Sequence, residues 1–211
     1  MTGEEFEGLL ARGRELRNTE YKGPGPRTSA MLVGKVMRAM FGMANLQDGG
    51  IVFIGVDEQS KVLVRTGMSE HDMKTWTHDD LAAKLGNYAD PAIEFDIEQF
   101  EHEGKHYVAI RVHEFEDLPI LCKKEYKAPD GKGSSEQIMR QGACYVRPRH
   151  KPETSDIPTQ AEMRDLLDLA TRKAVRRFIR QADAAGISVG GTTQLSDTGR
   201  FAAQVRQMSE A

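Results

Sequence analysis

Residues Met31–Asp57 limit the possible folds of this chain more than any other stretch. Met31–Asn45 (MLVGKVMRAMFGMAN) places Leu32, Val36, Ala39, Met40 and Met43 on one stripe at helical spacing, with Thr28 or Ser29 as N-cap. Asp48-Gly49-Gly50 follows as a tight turn. Ile51–Val56 (IVFIGV) is then a continuous apolar run, the pattern of a central strand covered on both faces, and it delivers Asp57 at its end. Gly34 and Gly42 inside the helix each cost about 1 kcal/mol relative to alanine, which close packing would offset.

The flanks fit around this unit. Glu4–Arg14 has a helical face of Phe6, Leu9 and Leu10, and Gly13 ends it. Arg17–Lys22 reads as a short strand, stopped by Gly23-Pro24-Gly25-Pro26. Lys61–Arg65 is a second short strand, and Asp79–Ala89 a helix with Leu81, Leu85 and Tyr88 facing inward. Ile93–Phe100 and Lys105–Val112 alternate about Glu103-Gly104 and predict a hairpin. Pro119–Cys122 reads as an edge strand, and Pro129–Ser135 as a mobile glycine-rich loop. Gln137–Arg140 and Ala143–Arg147 are expected to pair around Gly142. Thr159 and Glu162 form a capping box that opens a helix to about Ala185, with an expected core stripe of Met163, Leu166, Leu167, Ala170, Ala174 and Phe178. The expected organisation is one α+β domain over 1–185, including the basic helix 159–185. A flexible tail, 186–211, then carries a short helical pattern at Phe201–Met208.

Charge and cysteine content narrow the function. A net charge of −3 argues against a protein that coats nucleic acid along its whole surface, but not against one basic face. Basic residues concentrate between Lys123 and Arg180. Two cysteines, Cys122 and Cys144, provide neither a disulfide framework nor a four-thiolate zinc site, and read as small buried strand residues. No apolar run reaches the roughly 18 residues of a membrane span. The opening MTGEEFEGLL lacks the layout of a secretory leader, so a reducing cytoplasmic location is expected. Gly49, Gly50 and Gly55 match neither phosphate-loop pattern and read as turn and packing glycines. His102, His106 and His113, around the hairpin, lack a Cys/His cluster and read as strand or surface residues.

Four segments together carry a resemblance. Glu15, Glu20 and Lys22 form E-x4-E-x-K; a helix ends in Met43-Ala44-Asn45; Gly49–Asp57 reads GGIVFIGVD; and Tyr145-Val146-Arg147 closes the set. The chain resembles the Schlafen core domain, also called the AlbA_2 domain of bacterial proteins, over roughly residues 10–170. The resemblance implies an α+β fold with a mixed sheet and flanking helices, plus the C-terminal helix. Animal Schlafens join two such lobes into a horseshoe that cleaves tRNA with two glutamates, an aspartate and a lysine. The matching positions are Glu15, Glu20, Asp57 and Lys22. With a single lobe here, a comparable cradle requires a homodimer. The animal zinc site has no counterpart.

The side chains permit such chemistry. Glu20 and Lys22, two apart on a strand, share a face. Glu15, Glu20 and Asp57 converging would repel unless a cation holds them or one is protonated, and hard oxygen ligands suit Mg²⁺ or Mn²⁺. Such an ion would activate water beside a scissile phosphate, with Lys22 on a phosphate oxygen. The bland alternative is a surface ion-pair cluster in which Asp57 caps a turn. Lys123, Lys124, Lys127, Lys132, Arg147, Arg149 and Lys151 are the expected backbone-phosphate contacts. The expected function is a metal-dependent endoribonuclease acting on tRNA or other structured RNA, with RNA favoured over DNA, in bacterial defence. The alternatives are a non-catalytic nucleic-acid-binding module that regulates or recruits, and an interaction subunit of a larger complex.

Overall fold

The computed structural model of the chain describes residues 3–10, 16–59, 62–131, 133–151 and 153–187. Its contacts divide the chain into two units, residues 1–173 and 174–211.

Elements of the first unit follow one another as α1 (Gly3–Leu10), β1 (Thr19–Lys22), α2 (Ala30–Ala44), β2 (Gly50–Ile54), β3 (Val56–Gln59) and β4 (Val62–Arg65). Next come α3 (Glu70–Lys74), α4 (His78–Gly86), β5 (Ala89–Asp90), β6 (Phe95–His102) and β7 (Lys105–Val112). The short strands β8 (Leu121–Cys122), β9 (Tyr126–Pro129), β10 (Ser135–Met139), β11 (Tyr145–Val146) and β12 (Ser155–Asp156) precede α5 (Gln160–Ala184). The result is the expected α+β fold with a mixed sheet and a C-terminal helix.

The main sheet has the order β1-β2-β7-β6. β1 and β2 are parallel, with Glu20 opposite Val52 and Lys22 opposite Ile54, while β2, β7 and β6 are antiparallel. Parallel neighbours need a crossover, and α2 provides it. Strand alternation then sorts the side chains. Val52, Ile54, Val108, Ile110 and Val112 face α2 and its buried Val36, Met37, Met40 and Met43. Phe53, Tyr21, Tyr107 and Ala109 face the other way and enclose Phe6 of α1, whose ring lies 4.9 Å from Tyr107 and 5.5 Å from Phe53.

The central helix forms as its sequence indicates. Ser29 accepts from the Leu32 N–H as N-cap, and Asn45 closes the far end. The two helix glycines mark close approaches: a Cβ on Gly34 would meet the Tyr126 ring and one on Gly42 would lie 2.7 Å from Thr154. The Phe95–Val112 hairpin turns at Glu103-Gly104 as expected. Cys122 is fully buried in β8 and Cys144 half-buried, and burial pushes the Cys144 thiol up to about 11.

Four expectations change. The apolar run is not one strand: Gly55, at φ +104°, interrupts it, and a Cβ there would lie 2.9 Å from Tyr107 Cδ1. Asp57 is therefore the second residue of β3, paired with Val64 of β4, rather than the end of the central strand. Near the C-terminus, β10 pairs with β9, and β11 pairs with β12, so Gln137–Arg140 and Ala143–Arg147 are not partners. Asp130, in the glycine-rich loop, turns the β9–β10 hairpin by accepting from the Ser134 N–H at 3.0 Å. On α5, Leu166 and Leu169 face inward, whereas Met163, Leu167 and Phe178 of the expected stripe are exposed. The short α3 was not expected; Ser69 caps it by accepting from the Asp72 N–H.

In the second unit the described residues are the end of α5 and its cap, where Gly186 takes φ +72° and the Ile187 N–H donates to the Ala182 carbonyl. The predicted terminal helix and most of the tail lie outside the described residues.

Candidate nucleic-acid interface

The period-2 rule puts Glu20 and Lys22 on the α2 side of the edge strand β1. There they line a cleft of about 350 Å³ with Lys35 and Arg38 of α2, Glu58 of β3 and Glu153.

Glu20 is buried and both its carboxylate oxygens are engaged. Oε1 accepts from Lys22 Nζ, and Oε2 accepts from Arg147 Nη1. Arg147 is fully buried. Its remaining donors reach the carbonyls of Thr19 (2.9 Å), Arg17 (2.9 Å) and Leu16 (3.1 Å), while Arg17 Nε donates back to the Arg147 carbonyl at 2.6 Å. One guanidinium thus fastens the segment after β11 to the start of β1. A buried carboxylate requires such partners, because its desolvation cost is otherwise unmet.

Asn45 does comparable work nearby. Its side chain donates to the carbonyls of Ile120 and Tyr145, both at 2.9 Å, and accepts from the Ile120 N–H at 2.8 Å. Three motifs that are distant in sequence therefore meet as a structural clamp. Glu20 and Asn45 each hold the Tyr145-Val146-Arg147 segment.

Two members of the expected acidic triad, Glu20 and Asp57, fall among the described residues. Glu15 lies outside them. Asp57 is half-buried beside Gly23, accepts from the Glu58 N–H at 3.0 Å, and is not among the residues lining the cleft. Glu58 lines it instead, and Lys35, Arg38 and Glu153 are further cleft residues that sequence reasoning did not single out. Lys35 and Arg38 were legible in one respect: they are the two cations that interrupt the apolar text of α2.

Of the expected phosphate contacts, Lys123, Lys124 and Lys151 are exposed. Lys127 is exposed and pairs with Glu125 at 2.9 Å, and Arg149 grips Asp165 through two bonds of 2.8 and 2.9 Å. Lys132 lies outside the described residues. Arg147 requires a correction: it is an internal strut on Glu20, with no surface to offer a phosphate.

Among the described residues, one group places three possible metal ligands within 4.8 Å: Glu7, His102 and Glu103. Arg65 already bridges its two carboxylates, at 2.5 Å to Glu7 and 3.6 Å to Glu103, and His102 bonds Glu7 at 2.7 Å. His113 pairs with Asp96 at 2.8 Å. No described helix is long and apolar enough to cross a membrane.

No curated protein is similar enough to the chain to count as a match. Solved structures similar to part of it include the following two. One is the DIP2311 protein from Corynebacterium diphtheriae, at 19% identity over 64% of this chain with a TM-score of 0.41. The chain spans only 26% of that protein's length. The other is the N-terminal domain of a RecG-related protein from Nitrosomonas europaea, at 20% identity over 74% of this chain and 91% of that domain, with a TM-score of 0.43. The Schlafen, AlbA_2 family matches residues 15–153, about two thirds of the chain and within the span that the motifs marked. The chain belongs to the Schlafen AlbA_2 family of nucleic-acid-binding domains.

Proposed function

We propose that this domain binds nucleic acid without cutting it, and serves to recruit or regulate. The observation that carries this reading is the state of Glu20, whose two oxygens are held by Lys22 and Arg147. A carboxylate held by two cations serves the fold, and an Mg²⁺ or Mn²⁺ ion at its cleft-facing oxygen would have to displace Lys22. Asp57 does not line the cleft, which supports the binding reading. Exposed Lys123, Lys124 and Lys151 supply cations for a phosphate backbone. RNA stands ahead of DNA as the partner by resemblance to the animal Schlafens. A homodimer supplies the second lobe.

The metal-dependent endoribonuclease is the second reading. Glu58 favours it, as an exposed acid in the same cleft as Glu20 and Lys22. Labelled tRNA, unstructured RNA and duplex DNA incubated with Mg²⁺, Mn²⁺ or EDTA would separate the two. Glu58→Gln is the informative variant, since it changes an exposed residue and leaves the Glu20 network intact. The binding reading expects intact nucleic acid in every arm. Cuts that need the metal and vanish in Glu58→Gln would establish the nuclease instead.

A further inference from the structure

The cleft beside Glu20 has one wall of cations that the clamp does not use. Lys35 and Arg38 lie three residues apart on α2, so they share a face of that helix. α2 contains no acidic residue that could pair with them along the helix. Neither takes part in an ion pair among the described residues, unlike Lys127, Arg140 and Arg149, which are matched to Glu125, Asp156 and Asp165. Arg38 lies over the Tyr145 ring at 5.5 Å, and its buried Nε has no hydrogen-bond partner among the described residues. Buried donors are rarely left unsatisfied, and a guanidinium presents its N–H groups as a planar fork.

Lys22 stands across the cleft on β1. Its partner Glu20 is also held from behind by Arg147, so the carboxylate keeps one cation if Lys22 turns to a ligand. The remaining acids, Glu58 and Glu153, are exposed. Three cations lining one cleft, one of them a planar fork, suit an anion with several accepting oxygens.

We propose that Lys35 and Arg38, with Lys22 opposite, hold one backbone phosphodiester of the bound nucleic acid in this cleft. The inference rests on the nucleic-acid-binding reading and adds to it a contact on α2, apart from the lysines around Lys123–Lys151. A contact to the backbone carries no sequence information, so its loss must weaken every sequence alike.

The test is the salt dependence of binding by the full chain to labelled single-stranded RNA of two unrelated sequences. Wild type is compared with Lys35→Ala, Arg38→Lys, the double variant, and Lys74→Ala as an exposed lysine elsewhere, with thermal melts confirming that each folds. Lys35→Ala should weaken both RNAs several-fold and reduce the slope of log K against log salt by about 0.7, one phosphate's share for a single strand. Arg38→Lys keeps the charge but loses the fork, so it should weaken affinity with little change in slope. Lys74→Ala should match wild type. Wild-type binding with Lys35→Ala and Arg38→Lys indistinguishable from it overturns this inference alone, whereas no binding by wild type overturns the functional reading as well.

Discussion

At the scale of single residues, Arg147 and Glu20 decide how the site is to be understood. Both are charged and both are buried, a combination that persists only when every charge is matched. Removing one partner leaves the other buried and uncompensated. Arg147→Ala is therefore expected to destabilise the fold by about 3–5 kcal/mol, read as a fall in the urea midpoint at constant slope. A loss below about 1 kcal/mol would mean that the guanidinium is not the strut described here. Glu20→Gln strikes the same pair, so loss of function in that variant alone says little about chemistry. The link was not legible beforehand, because the two residues are 127 positions apart and an arginine in a basic run reads as surface. Period-2 alternation did place Glu20 and Lys22 together, since that relation is local. Local spacing could not show that Asp57 and Glu58 exchange places at the cleft; Gly55 decides that by starting a new strand with its own register.

At the scale of elements, the helix–turn–strand unit was readable because cap, stripe and glycines all agree on one answer. α2 is capped by Ser29 and packed along its whole inner face, as its text indicates. The short strands near the C-terminus were not, because two-residue ladders carry no period and their partners are chosen by long-range packing. α5 shows a different limit. Its apolar residues exceed what one inward face accommodates, leaving Met163 at 42%, Leu167 at 55% and Phe178 at 59% exposure. At 3.6 residues per turn these three side chains fall on one side of the helix, an apolar stripe that a second copy would cover. Light scattering at micromolar protein is expected to give the mass of a dimer, and Leu167→Ser with Phe178→Ser to return it to a monomer. A monomeric wild type would count against this pairing.

At the scale of the whole molecule, the residues that identify the family are largely those that hold the fold. Glu20, Asn45 and Arg147 bond across three distant segments, while the cations outside that clamp are Lys35 and Arg38, in the same cleft as Glu20, and Lys123, Lys124 and Lys151. The binding reading has these cations on a nucleic-acid backbone while Arg147 keeps Glu20 in place. It is tested most directly by titrating labelled RNA with the full chain over a salt series, in EDTA and again in Mn²⁺. The predicted result is intact RNA, the same affinity in both conditions at matched ionic strength, and log K falling linearly with log salt. Absence of binding in EDTA, or RNA cut only when Mn²⁺ is present, would contradict it.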